Sequence, residues 1–356
     1  MRQGVPEHNR GSGGPPIPSG ERFAGNPLGQ NRKADPMAVY TEVSDEDLER
    51  FVAEYDIGDV LSCKGIAEGV ENTNYLLQTE SGHYILTLYE RRVSPEDLPY
   101  FLNLMEHLAG QDIPCPTPLH GRDGESLRSL CGRPAAIISF LEGMWPRRIH
   151  PYHCAALGEA LADFHIAGAS FGMSRRNNLS VKSWRPLLDS CIDRADQVES
   201  GLSDTLLREL DHLEANWPEN LPEGVCHADL FPDNVFFRGE TLSGMIDFYF
   251  ACNDFIAYDV GICLNAWCFE RDRSFNVTKA KLMLAAYRKR RPFSAEETQA
   301  LPLLARGSAM RFLLTRLYDW LNHPEGAFVK PKDPLEYLRI LSFHQHVTKP
   351  QDYGLE

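Results

Sequence analysis

Hydrophobic positions in the first half of the chain follow helical spacing in some segments and strand-like alternation in others. Apolar residues at 48, 51, 52 and 55 follow Ser44 and three acidic residues, which predicts a helix with Ser44 as its N-cap. Residues 75–79 and 84–89 flank Ser81-Gly82, which predicts a β-hairpin. Further segments with the pattern of a regular element are 98–108, a helix, and 133–141, a strand.

The second half of the chain has mainly helical spacing. Predicted helices cover 154–166, 187–217 with a break, 260–269, 278–290 and 295–322. A short β-rich stretch at 225–250 lies between them, with turns at Pro232-Asp233 and Arg238-Gly239. The pattern therefore predicts an α+β protein with a small sheet-containing N-terminal part and a larger helical C-terminal part.

Residues 1–36 differ from the rest, because they contain seven Gly and six Pro and no hydrophobic period. Such a segment buries too little apolar surface to offset the entropy of ordering, so we expect a disordered N-terminal extension.

Charge and cysteine content narrow the class of protein. The 356 residues carry a formal net charge of −14, which argues against binding nucleic acid or an anionic membrane surface. The nine cysteines are scattered without a CxxC pair, as in a protein with reduced thiols. No apolar run reaches the length of a membrane span and no secretory signal is evident, so we expect a cytoplasmic protein.

One segment concentrates polar residues that fit phosphoryl transfer. His227-Ala228-Asp229 is followed by Asn234 and an apolar strand, and a second apolar strand ends at Asp247. Asp229 can accept a proton, while Asn234 and Asp247 offer oxygen ligands of the kind Mg²⁺ prefers. The alternative is local hydrogen bonding within turns, where Asp and Asn are common. The segment from His227 to Asn234 together with the strand ending at Asp247 favours the catalytic interpretation.

The pattern HxDxxxxN followed by a strand ending in IDF resembles the protein-kinase-like phosphotransferases that include choline kinase and aminoglycoside phosphotransferases. The resemblance extends to the homoserine kinases of this superfamily, and four stretches carry it. They are GIAEGVENTNYLLQT with YILTLYE, CHADLFPDNVFF, GMIDFYFACNDFIAYDVGICLNAWC, and RRPFSAEE with RFLLTRLYDW. The resemblance implies ATP-dependent phosphorylation of L-homoserine with Mg²⁺. It also implies a protein-kinase-like bilobal fold, with a small antiparallel-sheet nucleotide-binding lobe at 37–141 and a mainly helical catalytic and substrate lobe at 142–356.

The resemblance also implies roles for individual residues. Asp229 would be the catalytic base, His227 would support the catalytic loop, and Asp259 would tie that loop to the following helix. Asn234 and Asp247 would hold Mg²⁺. ATP would be bound by residues of the loop 65–74 and of the hinge between the lobes, namely Gly65, Gly69, Asn72, Asn74, Ser139 and Leu141. For the loop, the alternative is an ordinary hairpin turn.

The sequence departs from protein kinases at Thr87, which stands where their third strand carries a phosphate-binding lysine. Two hypotheses follow: either Lys64 or Arg91 reaches the phosphates, or Mg²⁺ supplies most of the neutralisation.

A zwitterionic substrate such as homoserine needs a cation for its carboxylate. Arg311 and Arg316 on the last long predicted helix are candidates, with surface ion pairing as the equal alternative. Further candidates for the substrate pocket are Tyr249, Asp254 and Asn265. Two other functions remain open from the sequence: a sister kinase for choline, an aminoglycoside or methylthioribose, and a non-catalytic nucleotide-binding regulator.

Overall fold

The protein is represented by a computed structural model that describes residue 1 and residues 41–66, 72–90, 93–323 and 331–355. The predicted N-terminal extension, 1–36, lies outside these residues except for Met1. None of the described helices is long and apolar enough to cross a membrane.

The N-terminal part is a five-stranded antiparallel sheet with strand order β1-β2-β3-β5-β4. The strands are β1 (Val60–Ile66), β2 (Asn72–Thr79), β3 (Gly82–Tyr89), β4 (Arg128–Leu130) and β5 (Arg133–Ser139). Two helices, α1 (Asp45–Val52) and α2 (Leu98–Ala109), accompany the sheet. The side chain of Ser44 accepts a hydrogen bond from the backbone of Asp47, so the predicted N-cap of the first helix is confirmed.

The C-terminal part is built from helices around two short hairpins. The helices are α3 (Pro151–Gly168), α4 (Val181–Asp189), α5 (Ile192–Ala195), α6 (Leu202–Asn216), α7 (Ile256–Trp267), α8 (Val277–Arg290), α9 (Ala295–Leu321) and α10 (Leu335–His344). The strands pair as β6 (Glu223–Cys226) with β9 (Cys252–Phe255) and as β7 (Val235–Arg238) with β8 (Thr241–Met245). The predicted break in the segment 187–217 is confirmed, because three helices occupy it.

The structure differs from the pattern-based prediction at three places. The segment 65–74 was expected to be a loop, but β1 continues to Ile66 and β2 begins at Asn72. Polar residues on these strands hid the strand pattern, because backbone pairing rather than apolar alternation holds them there. The short strand β4 and the helix α10 were also not expected. The segment of α10 contains buried Tyr337, Ile340 and Leu341, and its burial is decided by contact with α9.

The core runs without interruption from the sheet into the helical part. One apolar cluster joins α2, including Phe101 and Leu104, with α3 and with Phe248 beyond β8. Tyr89 at the end of β3 packs edge-on against Tyr249, with ring centroids 5.4 Å apart. The residues around Asp247 are therefore packed directly against the N-terminal sheet, which sets the position of one part relative to the other.

Helices α3 and α8 approach closely at Gly158. A Cβ atom at this position would overlap the backbone carbonyl group of Met283, and Gly158 is buried. A side chain larger than hydrogen therefore requires the two helices to separate, although alanine would ordinarily favour a helix.

We expect Gly158→Ala to lower the free energy of unfolding by about 1–3 kcal/mol, the usual cost of overpacking a core. Urea denaturation of the purified protein measures this change. Gly172→Ala is the matched control, because a Cβ atom there meets no atom within 4 Å. A Gly158→Ala protein as stable as the parent would contradict the packing argument.

Candidate active site

The loop from His227 to Asn234 begins where β6 ends and is held by the carboxylate of Asp259. The backbone N–H groups of His227 and Ala228 donate to Asp259 Oδ2 and Oδ1, at 2.7 and 2.9 Å. Ala228 has φ 63°, a left-handed conformation that a non-glycine residue adopts at a cost of about 1–2 kcal/mol. The two charge-assisted hydrogen bonds offset this cost and set the direction in which the loop leaves the strand.

A buried chain of hydrogen bonds leads away from Asp259. The Tyr287 hydroxyl lies 2.8 Å from His165 Nδ1, and His165 Nε2 lies 3.2 Å from Asp259 Oδ2. Burial lowers the pKa of His165, so its imidazole is neutral and donates through Nε2. Burial raises the pKa of Asp259, but hydrogen bonds from His165 and the loop backbone bring it below its usual value. The His165 ring at the end of α3 therefore bridges the Tyr287 hydroxyl and the Asp259 carboxylate.

His227 links the loop to the strand that precedes Asp247. Its Nε2 donates to the carbonyl oxygen of Ile246 at 3.0 Å, and burial lowers the pKa of the ring. A neutral ring that donates through Nε2 cannot also serve as a proton donor at Nδ1. The geometry therefore suits a supporting contact between the two polar segments.

Asp229, Asn234 and Asp247 meet at one end of the β7–β8 hairpin. Val235 pairs with Met245, and Ile246 N donates to Asn234 O at 3.0 Å, so the residues flanking these strands lie together. Asn234 Nδ2 donates to Asp229 O at 2.8 Å and to Asp229 Oδ2 at 3.3 Å. These bonds orient the Asp229 carboxylate and use the nitrogen of the Asn234 amide, whose Oδ1 atom remains the acceptor.

The oxygen atoms of Asn234 and Asp247 form a donor set that fits Mg²⁺. The ion prefers few protein oxygens and takes its other ligands from phosphate and water. Asp247 has φ 65°, a left-handed conformation for a non-glycine residue, at the point where β8 turns into the next segment. Non-glycine residues in this conformation cluster at functional sites, where the surroundings hold them in place.

Partial burial makes the carboxyl group of Asp229 a weaker acid than usual. Burial raises its pKa from 3.8 to about 6, while the positive charges of Arg311, Lys332 and Arg316 lower it and the neighbouring Asp233 raises it. The carboxylate is therefore ionised at neutral pH and still basic enough to accept a proton.

The two predicted cations of α9 lie near this carboxylate and both have partners within the protein. Arg311 is 3% exposed, donates to Ala228 O at 2.6 Å and covers the ring of Phe312 at 4.2 Å. Arg316 donates to Glu336 Oε2 at 2.8 Å and covers the ring of Tyr337 at 4.5 Å. Arg311 thus supports the catalytic loop from the side opposite Asp259, and Arg316 joins α9 to α10.

The other three predicted substrate residues do not lie together. Tyr249 donates to the hydroxyl of Tyr89 at 3.3 Å, so it faces the N-terminal sheet. Asp254 lies on β9 and accepts a hydrogen bond from Asn177 Nδ2 at 2.7 Å. Asn265 is buried between helices, where it donates to Ala305 O at 2.8 Å and has His344 Nε2 2.5 Å from its Oδ1. A role for each in binding substrate remains a prediction.

The predicted phosphate-binding residues lie on the first two strands. Gly65 is on β1 opposite Tyr75. Asn72 and Asn74 on β2 accept through Oδ1, from Glu90 N at 3.4 Å and from Thr87 Oγ1 at 2.8 Å. Their Oδ1 atoms are thus occupied, and their amide nitrogens are the groups that could donate to a phosphate. Two residues named in this context, Gly69 and Arg91, lie outside the described residues.

The predicted hinge follows β5. Ser139 exchanges two hydrogen bonds with Thr117: Ser139 N donates to Thr117 O, and Thr117 N donates to Ser139 Oγ, both at 2.9 Å. The N–H group of Ser139 therefore already has a partner. Leu141 lies over Gly244 of β8, where a side chain would collide with it. The hinge is thus packed on the strand that leads to Asp247.

Sequence reasoning missed two cations that the fold brings to this region. Arg175 joins the N-terminal end of α2 to the segment after Asp247. Its Nε donates to Asp97 Oδ2 at 2.8 Å, and its Nη1 donates to Ala251 O at 3.2 Å. Lys332, between α9 and α10, lies beside the catalytic loop. Neither stands in a recognisable motif, and both reach the site only through long-range packing.

Comparison with known proteins places this geometry in a family. Residues 62–293 match the phosphotransferase enzyme family. A homoserine kinase of Paramagnetospirillum magneticum is 66% identical over 326 residues, which cover 90% of this chain and 100% of that protein. A homoserine kinase of Rhodospirillum rubrum is 64% identical over 319 residues, covering 90% of this chain and 99% of that protein.

Solved structures with low sequence identity share the fold. An amicoumacin kinase in complex with AMP-PNP, Ca²⁺ and Ami has a TM-score of 0.64 at 14% identity, covering 87% of this chain and 96% of its own. A spectinomycin phosphotransferase in complex with ADP and spectinomycin has a TM-score of 0.62 at 14% identity, covering 88% and 98%. The predicted protein-kinase-like bilobal α+β fold is confirmed. With a family match over most of its length and relatives above 60% identity, the chain belongs to the phosphotransferase enzyme family and, within it, to the homoserine kinases.

Proposed function

We propose that the chain transfers the γ-phosphoryl group of ATP to the hydroxyl group of L-homoserine, with Asp229 as the base. The observation that carries the proposal is the convergence of Asp229, Asn234 and Asp247 at the end of the β7–β8 hairpin, in a chain related to homoserine kinases. The products are ADP and O-phospho-L-homoserine. A cytoplasmic location and the division into lobes at 141/142 remain predictions.

Asp229 accepts the proton of the substrate hydroxyl as its oxygen attacks the γ-phosphorus. Its pKa of about 6 suits this role, because the carboxylate is ionised at neutral pH and retains affinity for a proton. Asn234 holds one carboxylate oxygen by its 3.3 Å hydrogen bond. Positioning and neutralisation of charge supply most of the rate enhancement in phosphoryl transfer.

Asn234 and Asp247 would hold Mg²⁺ through their side-chain oxygens. When bound, the ion neutralises charge on the ATP phosphates. Asn72 and Asn74 donate their side-chain amides to the phosphates, and residues 139–141 accommodate the adenine. Because Thr87 carries no charge, either Lys64 or Arg91, or Mg²⁺ when it is bound, would supply the compensation that a strand lysine gives in protein kinases.

The amino-acid end of the substrate requires groups of both signs. Arg311 and Arg316 place positive charge near Asp229 and lower the pKa of its carboxyl group, which supports an anion-binding role for this region. Tyr249, Asp254 and Asn265 remain further candidates for the substrate pocket.

A panel of alcohols tests the proposed activity. We expect ADP release with ATP and Mg²⁺ to be strong for L-homoserine and at least about a hundredfold weaker for choline, methylthioribose and kanamycin, because a pocket that pairs a carboxylate rejects alcohols lacking it. D-Homoserine should also be a weaker substrate, because its inverted centre cannot place the hydroxyl, ammonium and carboxylate groups on their partners at the same time. Stronger turnover of another alcohol would move the protein to a sister activity. Absence of turnover with measurable ATP binding would favour a regulatory role.

The same assay tests the base. We expect Asp229→Asn to lower kcat by about 10²–10⁴-fold, because the amide cannot accept the proton. Asp189→Asn, an exposed change on α4, is the control and should leave kcat unaltered. Activity of Asp229→Asn within tenfold of the parent protein would contradict the mechanism.

The pH dependence follows from the same carboxylate. We expect kcat/KM to rise as the pH increases through about 6, because protonated Asp229 cannot serve as a base. Asp233→Asn should move this limb to lower pH, because the charge of Asp233 raises the pKa of Asp229. Rate profiles between pH 5 and 8 measure both. A limb unchanged by Asp233→Asn would assign it to another group.

The hydrogen bonds between Asp259 and the catalytic loop give a further prediction. Asp259→Asn leaves one acceptor oxygen for two loop N–H groups, so one buried donor loses its partner. We expect the free energy of unfolding to fall by about 1–3 kcal/mol. We also expect kcat to fall more than the KM for ATP changes. Chemical denaturation and steady-state kinetics measure the two effects, with Asp189→Asn as the control. Parent-like stability and kcat would show that the loop does not depend on Asp259.

A further inference from the structure

Lys332 is a cation at the catalytic loop for which the contacts described so far give no role. Its Nζ atom lies 3.9 Å from Asp233 Oδ2 and 5.4 Å from the ring centroid of Phe231. Both residues belong to the loop between Asp229 and Asn234. Lys332 therefore lies over the loop that carries the proposed base, although it is about a hundred residues away in the chain.

The exposure of Lys332 distinguishes it from the two arginines of α9. The side chain of Lys332 is 64% exposed, while that of Arg316 is 11% exposed and the residue Arg311 is 3% exposed. Both arginines hold short hydrogen bonds to oxygen atoms of the protein, at 2.6 and 2.8 Å. A ligand that recruited either would have to break a partly or fully buried bond, which is costly.

The ion pair of Lys332 is exposed and weak, unlike the hydrogen bonds of the two arginines. Its partner Asp233 is also exposed, and a pair of exposed charges 3.9 Å apart contributes little to stability. The lysine stem is flexible and its ammonium group has three donors, so it can exchange one carboxylate for another at low cost. The ring of Phe231 favours a cation over its face.

We propose that Lys332 binds the α-carboxylate of the amino-acid substrate and so selects alcohols that carry a carboxylate. This inference rests on the proposed function, because it assigns a residue to one end of L-homoserine. The ammonium group leaves Asp233 and pairs with the substrate, while Arg311 and Arg316 keep their contacts with Ala228 and Glu336.

The test compares two substrates and two enzymes. L-Homoserine and 3-aminopropan-1-ol share the hydroxyl and the amine and differ by the carboxylate. We expect Lys332→Met to lower kcat/KM for L-homoserine by about tenfold to a hundredfold, chiefly through KM, which is the effect of one charge-assisted hydrogen bond. The KM for ATP should change by less than about twofold.

The amino alcohol without a carboxylate should not distinguish the enzymes. Its affinity, measured as the inhibition constant against L-homoserine, should be the same for the parent protein and for Lys332→Met. Lys332→Arg should recover part of the affinity for L-homoserine, because the charge is restored. Lys289→Met, on an exposed turn of α8, is the matched control and should match the parent in every measurement.

Three results would each overturn the role of Lys332 or the proposed function. An unchanged KM for L-homoserine in Lys332→Met, with an active parent protein, overturns the role of Lys332 and leaves the proposed function intact. An equal loss of affinity for both compounds also overturns it, because it indicates a structural effect. A parent protein that does not phosphorylate L-homoserine overturns both proposals together.

Discussion

The carboxylate of Asp259 accepts the backbone N–H groups of His227 and Ala228, and the geometry of the site depends on this interaction. Without a buried anion at that point, Ala228 would have no compensation for its left-handed conformation. Arg311 donates to the carbonyl oxygen of the same Ala228, so the peptide groups on both sides of this residue are held. Asp229 is the next residue in the chain, so the restraint on Ala228 also sets the direction of the backbone at Asp229.

The restraint on the loop continues into the segment that joins β8 to Asp247. His227 bonds to the carbonyl of Ile246, and Ile246 bonds through its N–H to Asn234. These short links join the segments that carry Asp229, Asn234 and Asp247 into one unit. The unit then packs on the N-terminal sheet through Tyr249 and Tyr89, which fixes its position against the strands expected to bind the nucleotide.

The balance of charge around Asp229 explains how an acidic protein can handle anions. The whole chain carries a net charge of −14, yet Arg311, Arg316 and Lys332 all act on this carboxylate. Two of them are immobilised by hydrogen bonds and set a constant field, while the third is exposed. Under the proposed function, such a site keeps the Asp229 carboxylate ionised and leaves the exposed Lys332 for a small anionic ligand.

The elements whose contacts are local could be predicted from the sequence. Asn234 and Asp247 could be placed together because one hairpin, readable from its apolar strands and turns, connects them. The helices α2, α7, α8 and α9 followed from their spacing for the same reason. Tertiary structure alone decided that His165 meets Asp259 across 94 positions, that Arg311 meets Ala228 across 83, and that Lys332 lies over Phe231. Periodicity shows which face of a helix is buried, but not which partner it meets, since that depends on how all the elements pack together.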